Sequence, residues 1–114
     1  MKLIDDYGSL KQRTKAQITS SDPNYSVWVG ANAGTGKTGV LVDRILRLLL
    51  SGVAPSRILC LTFTKAAASE MAVRLNDQLA LWAVMDNFKL KKSLSAIMAG
   101  SQVQESALKL APLL

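Results

Sequence analysis

Hydrophobic and polar positions form distinct blocks along this chain of 114 residues. Residues 26–30 are a short run rich in β-branched and aromatic residues, and residues 58–61 are a continuous apolar run. Turn-forming residues bound these runs, a pattern typical of buried strands. Between them, residues 40–50 are apolar on most faces and predict a largely buried helix that ends in the Gly52 to Pro55 segment. Strand, helix and strand in this spacing predict a βαβ unit with parallel strands.

Three further segments are predicted to be helical. Residues 9–18 predict a short helix before a turn-forming cluster. Residues 65–82 carry apolar side chains three or four positions apart, which indicates an amphipathic helix. Residues 88–114 predict one or two helices with a break near Gly100. The sequence contains no evident third strand, so the predicted sheet is incomplete.

The composition restricts the possible classes of protein but does not identify a function. Hydrophobic residues make up 49% of the chain and charged residues 19%, which is typical of one packed globular domain. The net charge of +6 favours polyanions such as nucleic acid without identifying one. The single cysteine, Cys60, excludes an internal disulfide and favours a reducing compartment. With no signal-peptide pattern and no membrane-length apolar run, we predict a cytoplasmic protein without a membrane partner.

The segment between the first predicted strand and its helix has the spacing of a phosphate-binding loop. Its glycines allow successive backbone N–H groups to point at phosphate oxygens. The lysine is predicted to bind the β and γ phosphates of ATP, and the threonine hydroxyl to bind Mg²⁺. The preceding strand and following helix favour this interpretation over a simple tight turn. The predicted cofactor-binding residues are Ala31, Asn32, Ala33, Gly34, Thr35, Gly36, Lys37 and Thr38, with Thr38 as the metal ligand.

A polar segment, Thr62, Phe63, Thr64 and Lys65, follows the second predicted strand and leads into the next helix. In α/β proteins, ligands bind at this edge of the sheet. Hydroxyls, a lysine and helix N–H groups suit a nucleic-acid backbone, and Phe63 suits stacking on a base. The alternative interpretation is a capped helix with Phe63 in the core.

Residues 31–38 and 58–71 together resemble the UvrD-like superfamily-one DNA helicases, and within them the AddA-type helicase-nuclease subunits of double-strand break repair. The resemblance implies an α/β fold, namely a P-loop NTPase (RecA-like) parallel sheet with flanking helices, here incomplete. It implies that the 62–65 segment contacts single-stranded DNA and that Gln17 reads the adenine edge of ATP. The resemblance also implies that a second helicase-nuclease subunit is a partner.

Two positions depart from the pattern of this family. Many members read Asn-Lys where this chain has Lys65-Ala66, so the lysine is displaced by one position. Gly39 stands where many members carry a basic or polar residue after the threonine of the phosphate-binding loop.

Hydrolysis by a P-loop ATPase requires an acidic residue at the end of a further apolar strand. The later acids of this chain, such as Glu70 and Asp77, stand in predicted helices or loops. We therefore expect residues 1–114 to be the amino-terminal part of a helicase ATP-binding domain, without catalytic residues and unable to unwind DNA alone. Alternatives are a noncatalytic nucleotide-binding or partner-binding remnant and a small P-loop kinase.

Overall fold

The computed structural model describes residues 14–30, 36–98 and 104–114. Within these ranges the chain folds into helices joined by short connections. The α-helices are α1 (Lys15–Ser21), α2 (Lys37–Leu50), α3 (Lys65–Val84), α4 (Asn87–Met98) and α5 (Glu105–Leu110), and two 3₁₀ turns cover Pro55–Arg57 and Ala111–Leu113.

The described ranges contain no β-strand, so the predicted fold class, an α/β P-loop NTPase with a parallel sheet, is wrong. Residues 26–30 and 58–61, predicted as strands, have no regular secondary structure, and no backbone hydrogen bond joins one to the other. A strand exists only where a second chain segment pairs with its N–H and C=O groups. Several apolar side chains of these segments are exposed, as Trp28, Leu59 and Leu61 illustrate, whereas Ile58 is partly buried against the core.

Helix α2 begins three residues before the predicted start, and its end agrees with the prediction. Gly36 caps its amino end with a left-handed backbone, at φ 89°. At the other end, Gly52 has φ 90°, and the N–H groups of Gly52 and Val53 donate to the carbonyls of Leu49 and Leu48 at 3.0 and 3.2 Å. This pair of bonds terminates the helix because the left-handed glycine turns the chain back over its last carbonyls.

The other helix predictions are confirmed in outline. Helix α3 covers the predicted 65–82 segment and continues for two more residues. Helix α1 overlaps the predicted 9–18 helix but extends beyond it to Ser21, and the part before residue 14 lies outside the described residues. The predicted break near Gly100 also lies outside them, between α4 and α5.

The core lies where α2, α3 and α4 pack together, with α5 and the last 3₁₀ turn closing one side. Helix α2 contributes most of its apolar face, and Trp82 of α3 is fully buried. The indole Nε1 of Trp82 donates to Ser93 Oγ at 3.1 Å, so this buried polar group is satisfied. None of the described helices combines the length and the apolar character that crossing a bilayer requires.

Alanine substitutions at Gly39, within α2, and at Gly52, just after it, should change the stability of the protein in opposite directions. Apart from the adjoining residues and the backbone of the helix itself, no described atom lies within 4 Å of a Cβ added at Gly39, whereas Gly52 needs its positive φ. We expect Gly39→Ala to stabilise the protein by about 0.5–1 kcal/mol through helix propensity. We expect Gly52→Ala to destabilise it by about 1–2 kcal/mol through left-handed strain. Urea unfolding followed by far-UV circular dichroism measures both, and a destabilised Gly39→Ala would contradict the helical assignment.

Candidate nucleotide and nucleic-acid site

The carboxyl end of the predicted phosphate-binding loop forms the start of α2. Gly36 is the N-cap, and Lys37 and Thr38 are the first two residues of the helix. Lys37 is exposed and Thr38 is partly buried. The remaining predicted loop residues, Ala31, Asn32, Ala33, Gly34 and Thr35, lie outside the described residues.

An open cavity of about 490 Å³ lies beside this helix start. One part of its wall is apolar, and the polar part includes two cationic side chains, Lys37 and Arg44. Its lining residues come from the end of α1, the extended segment before the loop and the first two turns of α2: Ser20, Ser26, Val27, Val29, Lys37, Val40, Leu41 and Arg44. A cavity of this kind suits an anion at its cationic part and an uncharged, flat group at its apolar part.

The amino end of α2 is suited to an anion for a second reason. The N–H groups of a first helical turn have no acceptor within the helix, and the helix dipole makes this end positive. Gly36 has no side chain that could cap these groups, and no cap hydrogen bond from a side chain is present. Backbone donors, a lysine and a helix dipole therefore converge where a phosphate group is predicted to bind.

The residues present are compatible with Mg²⁺ carried by a nucleotide. The described residues contain no group of three or more acidic, histidine or cysteine side chains able to hold a metal by themselves. Magnesium in phosphate sites typically takes one or two protein oxygens, with water and phosphate completing its shell. The Thr38 hydroxyl, in the first turn of α2, is an oxygen of this kind.

Gln17 has a structural partner at the start of α1. The backbone N–H of Thr14 donates to Gln17 Oε1 at 3.0 Å, and the N–H of Gln17 donates to Thr14 Oγ1 at 3.2 Å. These two reciprocal bonds form a capping box that stabilises the first turn. The predicted reading of adenine by Gln17 stays a prediction, and it would compete with this contact for the amide oxygen.

The 62–65 segment forms the exposed amino end of α3. Thr64 is the N-cap, with its Oγ1 accepting from the N–H of Ala67 at 3.1 Å, and Thr62 Oγ1 donates to the Thr64 carbonyl at 3.0 Å. The Phe63 side chain is fully exposed, and Lys65 is exposed beside it. The alternative interpretation was therefore right about the cap and wrong about Phe63 in the core.

The two predicted binding segments line different cavities on α2. Lys37 lines the cavity at the start of the helix, whereas Thr62 lines an apolar cavity of about 290 Å³ between the later turns of α2 and α3. Ile58 and Cys60 line that second cavity together with Thr62, while Leu59 is exposed. A nucleotide at the first cavity and a nucleic acid at the 62–65 segment would thus occupy separate surfaces.

The sequence did not lead us to predict Arg44 as a residue of this site. Its guanidinium lies at the first cavity and donates to three backbone carbonyls, those of Ser20, Asp22 and Tyr25, at 3.2, 2.9 and 2.6 Å. The available signal was a second arginine three residues before Arg47, in a helical segment (40–50) whose other residues apart from Asp43 are apolar. Such a pair lies on one face of a helix and indicates a polar contact on that side.

The chain matches the family described as UvrD/REP helicase N-terminal domain over residues 10–107. It is also similar to curated proteins whose names describe them as subunits of the ATP-dependent helicase/nuclease type. The protein from Lactobacillus acidophilus is 45% identical over 71 residues, which cover 61% of this chain and 6% of the relative. The protein from Oenococcus oeni is 40% identical over 82 residues, which cover 72% of this chain and 7% of the relative.

The chain therefore spans well under a tenth of the length of these relatives. No solved structure matches it.

Thr64 offers a test of the cap at the start of α3. We expect Thr64→Ala to lower the free energy of unfolding by about 1 kcal/mol, because the N–H of Ala67 loses its acceptor. Thr64→Ser keeps the hydroxyl and should retain most of the stability. Urea unfolding of both variants provides the comparison, and equal stabilities of Thr64→Ala and the unchanged protein would contradict the capping assignment.

Proposed function

Because the chain belongs to the UvrD/REP helicase N-terminal domain family, we propose that it is an ATP-binding segment of an ATP-dependent DNA helicase of the double-strand break repair type. This proposal rests on the position of Lys37, which lies at the amino end of α2 and also lines the 490 Å³ cavity. Residues 1–114 are, on this proposal, the amino-terminal part of the ATP-binding domain.

In the proposed complex, the phosphates of ATP lie at the start of α2. Lys37 neutralises charge on the β and γ phosphates, and backbone N–H groups of the first turn donate to their oxygens. Thr38 contributes its hydroxyl to Mg²⁺, which offsets the remaining phosphate charge. On the sequence pattern alone, residues 31–35 are proposed as further phosphate contacts. The rest of the nucleotide extends toward the apolar part of the cavity.

Single-stranded DNA is the proposed ligand of the 62–65 segment. Phe63 presents a whole aromatic ring to solvent, which suits stacking on a base of any identity. Lys65 and the amino end of α3 provide positive charge for the adjacent backbone phosphate. Thr62 and Thr64 already use their hydroxyls within the protein, so their proposed part is chiefly to hold Phe63 and Lys65 in place.

We propose that this chain binds ATP without hydrolysing it or unwinding DNA by itself. No acidic side chain of the described residues lines the cavity at Lys37. An acid would be required there to hold magnesium and orient the attacking water. The proposal further includes a cytoplasmic location. Since the relatives are named as subunits, the proposed partner is a second helicase-nuclease subunit.

Binding of a fluorescent ATP analogue in the presence of Mg²⁺ tests the nucleotide site. We expect Lys37→Ala to weaken the affinity by about tenfold or more, because a charge-assisted contact is worth about 1.5–3 kcal/mol. The matched control is Lys89→Ala, which removes an exposed lysine on α4. Equal affinities of the Lys37→Ala variant and the unchanged chain would refute the proposed phosphate contact.

Turnover is measured in the same samples by phosphate release, with and without single-stranded DNA. Binding without release would support the proposed noncatalytic state of this chain. Release stimulated by DNA and lost in Lys37→Ala would show that the chain does supply a catalytic acid.

Phe88 provides a matched control for Phe63 in a test of the proposed DNA-binding segment, residues 62–65. Phe63 and Phe88 are both highly exposed phenylalanines, at the start of α3 and on α4 respectively. We expect Phe63→Ala to weaken binding of a fluorescent oligothymidine by about 5- to 100-fold, the value of one stacked base, and Phe88→Ala to leave it unchanged. Lys65→Ala should lower the salt dependence of log affinity by about one unit of slope. Fluorescence anisotropy measures both, and equal effects at Phe63 and Phe88 would contradict a specific DNA-facing role.

A further inference from the structure

We propose that Arg44 is a positioning residue for the nucleoside end of the ATP site, acting by holding α1 and the turn after it against α2. The inference rests on the proposed nucleotide binding and adds a residue that neither the sequence motifs nor the family description assigns. Arg44 itself is bonded to the protein backbone, so its effect on ATP is transmitted through the wall of the cavity.

Three hydrogen bonds tie this guanidinium to the segment between Ser20 and Tyr25, which lies between the cavity-lining residues Ser20 and Ser26. One nitrogen of Arg44 donates to the carbonyls of Ser20 and Asp22 at 3.2 and 2.9 Å, and the other donates to the carbonyl of Tyr25 at 2.6 Å. The planar fork of arginine can reach several acceptors in fixed directions, which an ammonium group cannot do equally well. One side chain therefore holds the last turn of α1, at Ser20, and the turn after it, at Asp22 and Tyr25.

Arg47, one turn further along α2, holds the end of α1 itself. It donates to the Ile18 carbonyl at 3.3 Å and to Ser21 Oγ at 3.2 Å, and it lies 3.7 Å from a carboxylate oxygen of Asp22. Ser21 is fully buried and also donates to the Ile18 carbonyl at 2.9 Å. Arg47 does not line the cavity, so it fixes the same helix without facing the proposed ligand.

These contacts provide hydrogen-bond donors and positive charge for the carbonyl end of α1. The last carbonyls of a helix have no N–H donor within the helix, and they carry the negative end of its dipole. The last turn of α1 contains no basic residue of its own, and the two arginines of α2 provide the cations instead. The position of this seven-residue helix thus depends on α2.

The geometry relates this anchor to the nucleotide. Lys37 and Arg44 are seven residues apart, which puts them on one face of α2 about 10 Å from each other along the helix axis. Both line the cavity, and Ser20, whose carbonyl Arg44 binds, lines it too. With the phosphates at Lys37, the part of the ligand beyond the phosphates faces the wall that Arg44 holds.

The test compares two ligands that share phosphates but differ in the nucleoside. Calorimetric titrations of Mg-ATP and of magnesium tripolyphosphate are made with the unchanged chain, Arg44→Gln and Arg44→Lys. We expect both variants to weaken ATP binding by about tenfold, since the wall facing the nucleoside loses the hydrogen bonds that hold it in place, and to change tripolyphosphate binding by less than about twofold. Lys37→Ala should weaken both ligands.

Two further variants separate positioning from other effects. Arg47→Gln loosens α1 without altering the cavity lining and should weaken ATP binding in the same direction. Arg74→Gln, which breaks an exposed ion pair with Glu70 on α3, should leave both ligands unchanged. Circular dichroism checks folding. If Arg44→Gln does not fold, the ATP affinities of Arg44→Lys and Arg47→Gln test the inference in its place.

Results contrary to these expectations distinguish failure of the inference from failure of the proposed function. Unchanged ATP affinity in the Arg44 variants, or equal losses for ATP and tripolyphosphate, would overturn the inference. An effect of Arg44→Gln without any effect of Arg47→Gln would also overturn it, because Arg44 would then act by direct contact. Failure of the unchanged chain to bind either ligand would instead refute the proposed function on which the inference rests.

Discussion

Burial of α2 is the constraint on which the rest of the structure depends. One face of this helix packs into the core against α3 and α4, and its residues Ile45, Leu46 and Leu49 are all buried. Another side carries Arg44 and Arg47, which bind the carbonyl groups at and beyond the end of α1. A single helix therefore organises both the apolar core and the polar attachment of the amino-terminal segment.

The same helix links packing to the proposed chemistry. Its amino end carries Lys37 and Thr38, and the core contacts that hold the later turns also fix the direction in which this end points. An anion site built on a buried helix is rigid because the helix cannot move without disrupting the core. The exposed amino end of α3 has less support, since only Met71 and Trp82 of that helix are buried.

The helices were predictable because their signals are local. The left-handed Gly52 and the cap residue Thr64 act within one turn of the chain, and periodic apolar residues mark the face that packs. The predicted strands failed because pairing is not local. Residues 26–30 and 58–61 have the composition of strands, yet their backbone groups find no partner segment among the described residues. Phe63 shows the same limit, because its neighbours in sequence do not reveal whether anything covers it.

The sequence by itself determined the phosphate-binding pattern around Lys37, the family resemblance and the approximate helix boundaries, since each depends on residues close together in the chain. Only the tertiary structure decided that Arg44 reaches across 19 to 24 positions to the carbonyls of the preceding turn, and that Thr62 and Lys37 line separate cavities. The physical reason is that hydrogen bonds between distant segments depend on how helices pack. Packing is set by the whole core, and no short stretch of sequence carries that information.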